Sequence, residues 1–282
     1  MSGYRPYTIL RFDRQSGWQE TPDPVTVEEP LEIRLIYGPE DQREERSLAI
    51  TMRTPGQDED LVRGFLFSEG IITDPSRIRS IEPVSTRREA GRGHTVRVDL
   101  SPAVPIDWSM LERHFYLTSS CGVCGKASID AVMETLHGDL FPLEPRIEGS
   151  LLQQLPDQLR QQQSLFALTG GIHASGLFDR HGSLLLLRED VGRHNAMDKL
   201  VGSLIGQPEL QANAAVVVLS GRASFELVQK ALLAGIPILV AVGAPSSLAI
   251  DLAEEGGLTL IGFAGTDRMN VYTGRQRVIT GD

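Results

Sequence analysis

The sequence has little of what secretion or membrane insertion requires. Its 282 residues include two cysteines, too few for the disulfide framework of a small secreted domain. Residues 1–6 contain no apolar signal core. The longest apolar runs, such as 236–242, hold about seven residues, against the roughly 20 needed to span a bilayer. We therefore expect a cytoplasmic protein without a membrane segment.

Positive charge is also scarce. The chain has 27 Lys and Arg against 37 Asp and Glu, a formal net charge of −10 at pH 7. This balance argues against a nucleic-acid backbone as the main partner, although it leaves room for a local basic pocket. A hydrophobic content of 41% and a charged content of 23% are typical of a globular protein, long enough for one large or two ordinary domains.

Both cysteines lie in one short stretch, Ser119–Lys126, as Cys121 and Cys124 with glycines between and beside them. Helical spacing of apolar residues over 127–137 predicts a helix directly afterwards. The helix dipole and Lys126 would then favour the thiolate form of a cysteine. The pair could be a redox dithiol, half of a zinc site, a persulfide carrier or an inert structural pair.

The pattern of strands and one helix over residues 1–106 predicts a small α+β domain. Residues 1–25 indicate a short edge strand and a turn. Alternating or apolar runs indicate strands at 31–37, 47–53, 78–84 and 95–100, and the acids of 58–60 begin a helix.

The second part, residues 107–282 with the cysteine loop at its start, predicts an α/β domain. Two strands, 172–178 and 183–188, form a hairpin, and three nearly all-apolar runs (214–219, 236–242, 258–263) alternate with helices. Such runs are strands buried on both faces of a sheet. We expect a three-layer sandwich on a mixed sheet, in the element order of the cytidine-deaminase-like fold.

The signature of a zinc deaminase is nevertheless missing from this order. Such enzymes need H-x-E at one helix start and P-C-x-x-C at the next. Here His194-Asn195-Ala196 lacks the glutamate, and Gly221–Ser224 lacks the cysteines. The order predicts a similar scaffold without that metal site. A zinc site joining the two cysteines to histidines such as His173 and His194 stays an alternative.

The loops after the three apolar strands should meet at one edge of the sheet, where α/β proteins bind ligands. They are 220–224, 243–247 and 264–268, joined by 189–195 after the hairpin. Small residues, hydroxyls and arginine recur in them, as in phosphate sites. We predict a nucleotide-like ligand, with Asp267 able to accept hydrogen bonds from guanine. The alternative is that Ser224 and Ser246 are ordinary helix N-caps.

Five motifs together resemble the formate dehydrogenase accessory sulfurtransferase family (FdhD). They are Ser120–Gly125, Thr169–His173, the Glu-Asp-Val-Gly-Arg-His-Asn run with Asp198 and Lys199, Ser220–Arg222, and Arg268–Tyr272. The run of seven residues is long enough to be specific, unlike a lone C-x-x-C. The motifs extend over nearly the whole chain in the family's order.

The resemblance implies a sulfur carrier. Cys121 would receive sulfur as a persulfide from a cysteine desulfurase. The sulfur would pass to the bis-molybdopterin guanine dinucleotide of formate dehydrogenase, which holds molybdenum or tungsten. The segment matching the family's cofactor-binding stretch is Phe263-Ala264-Gly265-Thr266-Asp267-Arg268. With it we group the rim residues Ser220, Arg222 and His194. No resident metal is expected, and a homodimer would suit a client with two guanine ends.

The role of Cys124 stays open at this point. It either attacks the inner sulfur of the Cys121 persulfide and expels hydrosulfide, or it tunes the Cys121 thiol. Two other functions remain: a cytoplasmic thiol–disulfide oxidoreductase that uses the cysteine pair, and a non-catalytic chaperone that only escorts the cofactor.

Overall fold

The computed structural model describes residues 3–84, 94–102, 104–106, 108, 141 and 143–281. Cys121, Cys124 and the helix predicted over 127–137 lie outside these residues. Within them the chain forms fourteen strands and seven α-helices, arranged around four sheets. None of the described helices is both long and apolar enough to cross a membrane.

The N-terminal residues form a hairpin, β1 (Tyr4–Asp13) and β2 (Gly17–Thr26), in a sheet of its own. The short edge strand predicted for 1–25 is therefore two ten-residue strands. Asp13 accepts hydrogen bonds from the N–H groups of Gln15 and Ser16 and so stabilises the turn. The sequence shows no alternation of apolar and polar residues over this hairpin, because most of its side chains are exposed and neither face has to be apolar.

The predicted α+β strands form a four-stranded sheet. They are β3 (Glu29–Tyr37), β4 (Glu44–Arg53), β5 (Ile78–Val84) and β6 (His94–Leu100), in the order β4-β3-β6-β5. The central pair β3–β6 is parallel and the outer pairs are antiparallel. Helix α1 (Asp58–Ser68) packs on this sheet, since its apolar stripe and the inward strand residues belong to one buried cluster.

The second part forms the predicted mixed sheet, with a sixth strand at its edge that was not predicted. Its strands are β8 (His173–Phe178), β9 (Leu184–Asp190), β10 (Val216–Leu219), β11 (Ile238–Ala241), β12 (Thr259–Gly265) and β13 (Arg268–Val271). The order is β13-β12-β11-β10-β8-β9. Strands β10, β11 and β12 are parallel, and the remaining pairs are antiparallel. A short parallel pair, β7 (Ile147–Glu148) with β14 (Val278–Ile279), lies apart.

Helices cover both faces of this sheet. Helix α2 (Gly149–Gln162) packs with Val216 and Val218 on one face. Helices α4 (Arg193–Ile205), α6 (Phe225–Leu233) and α7 (Ser247–Glu255) pack with Val217 and Leu219 on the other. The alternation within β10 thus produces the predicted three layers. Two short helices, α3 (Ser164–Thr169) and α5 (Pro208–Asn213), were not predicted.

Helices α1 and α4 cross with their backbones in close contact. A Cβ atom at Gly64 would lie 1.9 Å from the carbonyl oxygen of Asp198, and one at Gly202 would lie 1.8 Å from that of Asp60. Glycine is therefore required at both positions. Helix α1 packs on the four-stranded sheet and α4 packs on the six-stranded sheet. The crossing of the two helices therefore connects the two sheets. The division into domains 1–106 and 107–282 stays a prediction.

Candidate functional site

Three loops meet at the edge of the six-stranded sheet where β10, β11 and β12 end. The N–H of Gly243 donates to the carbonyl of Gly221 (2.9 Å), and that of Ser246 donates to Ala223 (3.0 Å). The N–H of Phe263 in turn donates to the carbonyl of Gly243 (3.1 Å). These bonds confirm that the rim loops predicted from sequence lie side by side.

Phe263 occupies a strained position at this rim. Its φ of 51° is in the left-handed region, which bulky residues rarely adopt. It lies in a β-bulge, since the register of β12 against β13 shifts between Gly262 and Gly265. The side chain is 37% exposed, and the guanidinium of Arg268 lies 5.7 Å from the ring centroid. Strain that leaves an aromatic ring exposed is typical of functional sites.

The other residues of the stretch 263–268 include one buried residue and three exposed ones. Ala264 is buried in the core under helix α2, and Thr266, Asp267 and Arg268 are exposed. The hydroxyl of Thr266 donates to Asp157 Oδ2 (2.6 Å), which ties the turn to α2. Exposure leaves the Asp267 carboxylate accessible to a ligand.

Ser220 and Arg222, the two predicted site residues of the first rim loop, have different contacts. Ser220 Oγ accepts a hydrogen bond from the N–H of Ala174 (2.8 Å), so this hydroxyl links β8 to the end of β10. Arg222 is exposed, and its side chain lies against Gly243, where a Cβ atom would come within 2.9 Å of Arg222 Cγ. Arg222 is thus placed to meet a ligand, and Ser220 mainly supports the loop.

His194 lies in the first turn of α4 and contacts helix α6. Its Nε2 is 2.7 Å from Glu226 Oε2 and 3.3 Å from Ser224 Oγ. The hydrogen bond from His194 lowers the pKa of Glu226 below its usual value, although burial acts in the opposite direction. Glu226 is therefore a carboxylate at neutral pH. The sequence motifs had missed this residue, because an acid in a first helical turn is what the helix dipole favours anyway.

His173, at the start of β8, lies near this pair. Burial lowers its pKa, and the charges of Arg193 and His194 lower it further. A Cβ atom at Gly221 would lie 3.5 Å from His173 Nδ1, so the ring borders the first rim loop. At neutral pH this imidazole is uncharged, because its pKa lies below the ordinary value of about 6.5.

The motif that contains His194 also contains a buried ion pair. Asp190 is fully buried and pairs with Lys199 (2.7 Å). Its carboxylate also accepts from the N–H groups of Thr54 (3.1 Å) and Gly192 (2.9 Å). Lys199 donates to the carbonyl of Thr54 (2.8 Å). The network fixes the loop before α4 against the end of β4.

The edge as a whole is suited to an anion. Arg193, Arg222 and Arg268 lie along it with two imidazoles, in a chain whose net charge is −10. Guanidinium groups bind phosphate oxygens in bidentate fashion. In the described part of the chain no three His, Cys, Asp or Glu side chains are grouped closely enough to hold a metal ion. Cys121 and Cys124 lie outside this part of the chain.

The chain is similar to known proteins over most of its length. The sequence model of the FdhD/NarQ family matches residues 27–279. The chain is 50% identical over 273 residues to the sulfur carrier protein FdhD of Streptomyces coelicolor, covering 96% of this chain and 94% of that protein. It is 44% identical to the Mycobacterium tuberculosis protein of the same name, covering 91% and 92%. Identity to the Picrophilus torridus protein is 40%, covering 91% and 92%.

One solved structure is similar over the full length. It is that of a putative formate dehydrogenase accessory protein from Desulfotalea psychrophila, with a TM-score of 0.72 and 25% identity. The match covers 99% of this chain and 100% of the other. The likeness therefore extends over nearly the whole chain.

Proposed function

The chain belongs to the FdhD/NarQ family, and we propose that it is a cytoplasmic sulfur carrier needed for formate dehydrogenase activity. It takes sulfur from a cysteine desulfurase. It delivers this sulfur to the bis-molybdopterin guanine dinucleotide, with molybdenum or tungsten, that formate dehydrogenase uses. The cofactor is a client of the protein, and the chain needs no resident metal. A homodimer would offer one site to each guanine end.

The observation that carries the proposal is the 50% identity, over 96% of the chain, to a sulfur carrier protein. The rim geometry supports the identity of the client. The exposed Phe263 ring can stack on a guanine base, and Arg222 and Arg268 are placed for its phosphates. Asp267 can accept from the guanine N1–H and amino groups. Together with His194, these residues form the proposed client site.

We also propose that the six-stranded sheet has the cytidine-deaminase-like topology. The order β9-β8-β10-β11-β12, with β8 antiparallel to three parallel strands, supports this assignment. In that arrangement the starts of α4 and α6 would face one site, and here they contribute His194 and Ser224. The scaffold would serve binding in place of deamination.

The sulfur steps follow from thiol chemistry. The Cys121 thiolate attacks the outer sulfur of the donor persulfide, whose S–S bond breaks, and the donor cysteine leaves as a thiolate. Cys124 then attacks the inner sulfur of the Cys121 persulfide. A Cys121–Cys124 disulfide forms, and hydrosulfide leaves towards the metal of the client. A thiol reductant must restore the pair before the next cycle.

Intact mass spectrometry after incubation with a cysteine desulfurase and cysteine tests the carrier role. We expect a gain of one sulfur atom in the wild type and in Cys124→Ala, reversed by reductant and absent from Cys121→Ala. Failure of both the wild type and Cys124→Ala to gain sulfur, with a Cys121–Cys124 disulfide forming in the wild type, would favour the oxidoreductase. Formate dehydrogenase activation that survives loss of both cysteines would favour the chaperone. Full sulfur delivery by Cys124→Ala would exclude the expulsion step.

A further inference from the structure

The hairpin β1–β2 is fixed to the rest of the chain at its base and exposed over its outer half. At the base, Thr26 Oγ1 donates to Thr169 Oγ1 on α3 (2.8 Å), and Arg5 pairs with Glu29. Beyond the base, every residue of β1 except Ile9 is exposed. A two-stranded sheet by itself is only marginally stable in water, so a further strand would stabilise the outer half.

The register of the hairpin shows which backbone groups of β1 point away from β2. The N–H of Val27 donates to the carbonyl of Gly3 (3.0 Å), and these two residues continue the register of the strand pairs beside them. Hydrogen-bonded and non-hydrogen-bonded pairs alternate along an antiparallel ladder. Odd-numbered residues of β1 therefore bond to β2, and the N–H and C=O groups of even-numbered residues point outward.

Proline blocks one outer edge of the hairpin and leaves the other open. On β2 the outward positions include Pro22 and Pro24, which have no N–H to donate to a further strand. On β1 the outward positions of the outer half are Thr8, Leu10 and Phe12, each with an N–H and a C=O. Among the described residues, no backbone hydrogen bond reaches these outward groups. The edge of β1 can therefore accept a strand.

The outward residues of β1 also present an apolar face. Leu10 and Phe12 are each more than half exposed, and so is Trp18, which lies across from Phe12 on β2. The ring centroids of Phe12 and Trp18 are 5.1 Å apart. Exposed apolar clusters mark sites of interaction with other proteins. The open edge and the apolar face therefore form one docking surface.

The charge of the hairpin favours a second copy of this chain as the occupant. Three arginines and three acidic residues lie in β1, β2 and their turn, so the hairpin is neutral in a chain whose net charge is −10. Arg11 is moreover paired with Asp23 of the same hairpin (2.8 Å). Two acidic copies therefore repel each other least where hairpin meets hairpin.

The open edge is also complementary to itself. With Leu10 on a two-fold axis, it faces Leu10 of the other copy, and Thr8 faces Phe12. This register uses only residues with an N–H and leaves out Pro6. On the opposite face, Arg11 of one copy lies across from an uncharged residue of the other, so no like charges oppose each other within the segment.

We propose that β1 forms the dimer interface, with the edge Thr8–Phe12 pairing antiparallel with the same edge of a second copy. The inference rests on the homodimer of the proposed function and names its contact surface. The two hairpins form a four-stranded sheet held by about six backbone hydrogen bonds, two for each facing pair. The side chains of Leu10, Phe12 and Trp18 from both copies become neighbours on one face of this sheet.

Sedimentation velocity over a range of protein concentrations tests this surface. The wild type should form a dimer of two 30.9 kDa chains. Leu10→Pro removes the outward N–H at the axis and leaves the bonds between β1 and β2 intact, since the position is non-hydrogen-bonded in the hairpin. We expect a dissociation constant raised about tenfold or more, because each copy loses one hydrogen bond.

Glu20→Pro is the matched control for this variant. Glu20 lies across from Leu10 on β2, so the substitution removes an N–H from the edge that proline already blocks. It makes the same change to the hairpin itself and should dimerise as the wild type does.

A cysteine at the axis tests the register without removing a backbone donor. In a chain with Cys121→Ser and Cys124→Ser, Leu10→Cys should form a disulfide-linked dimer on oxidation, seen by non-reducing electrophoresis. Facing residues of a hydrogen-bonded pair have Cα atoms about 5.5 Å apart, within reach of a disulfide. Phe12→Cys is the control and should not link, because it faces Thr8 of the other copy. Adding Thr8→Cys should restore the link.

Four results would overturn the inference. A wild-type dimer that Leu10→Pro leaves unchanged would place the interface elsewhere. Equal weakening by Leu10→Pro and Glu20→Pro would mean that the edge of β1 is not the contact. Equal linking of Leu10→Cys and Phe12→Cys would exclude this register. A monomeric wild type would leave the edge to a strand of another protein. The persulfide measurement decides the carrier role independently of all four.

Discussion

The two halves of the stretch Glu189–Asn195 are used in opposite ways. Asp190 is completely buried, and hydrogen bonds from Lys199, Thr54 and Gly192 surround its carboxylate. Four residues later, His194 is about one-third exposed and held at one nitrogen. A single contiguous motif therefore combines an internal anchor with an exposed residue of the candidate site. Motif identity alone does not separate these roles.

The difference between Asp190 and His194 also explains how residues at the rim can be solvent-exposed and still be held in place. The anchor joins the loop before α4 to the end of β4, and the α1–α4 crossing joins the helices behind it. His194 is thereby placed without needing side-chain packing of its own. We expect changes in the anchor to lower stability strongly and changes at the rim to alter binding with little loss of stability.

The largest effect should come from breaking the anchor. Lys199→Met leaves the buried Asp190 carboxylate without its cation and should lower the free energy of unfolding by about 3–5 kcal/mol. Urea denaturation measures this change. Arg63→Met is the matched control, since Arg63 pairs with Glu59 at 2.6 Å on the surface. That pair should contribute less than about 1 kcal/mol. Equal losses would show that burial does not distinguish the two pairs.

The next largest loss of stability should come from disturbing the crossing of α1 and α4. Gly202→Ala would bring a Cβ atom 1.8 Å from the carbonyl oxygen of Asp60, so α1 and α4 would have to move apart. We expect a loss of about 3 kcal/mol in urea denaturation. Gly206→Ala, at the end of the same helix, meets no atom closer than 3.7 Å and serves as control. A tolerated Gly202→Ala would contradict backbone contact at the crossing.

At the rim, acidification should weaken the fold through His173. Its folded pKa is depressed, so below the ordinary value of about 6.5 the unfolded chain binds more protons than the folded chain. Stability due to this residue is present above that value and lost as pH falls. The loss between pH 7.5 and pH 5.5 can reach at most about 1.4 kcal/mol. His173→Asn should remove it, and an unchanged pH slope of the unfolding free energy would refute this role.

The smallest effect should separate the two serines. Ser246 Oγ accepts from the N–H of Ala249 (3.3 Å), so Ser246→Ala removes an N-cap and should cost about 1 kcal/mol of unfolding free energy. Ser224→Ala should leave stability within about 0.5 kcal/mol, because Ser224 forms no cap. Thermal unfolding of both variants at one pH measures the difference. A loss for Ser224→Ala as large as that for Ser246→Ala would mean that Ser224 acts as a cap after all.

Local patterns predicted the elements that are buried on both faces. Strands β10, β11 and β12 follow from their apolar runs, and helices lie between them as predicted. The hairpin β1–β2 was underestimated, since an exposed two-stranded sheet needs no apolar face. Strand β13 was missed because four residues at a sheet edge, three of them exposed, lack a hydrophobic pattern.

The sequence by itself determined the mixed α/β architecture, the meeting of three loops at one edge, and the family. Burial of apolar strands and the direction of parallel strands are consequences of local order, which sequence contains. Only the tertiary structure decided which residues of a motif are buried anchors and which are exposed at the rim. The contact of His194 with Glu226 joins positions 32 residues apart on two helices. Such a contact depends on how the helices pack, and no local periodicity encodes it.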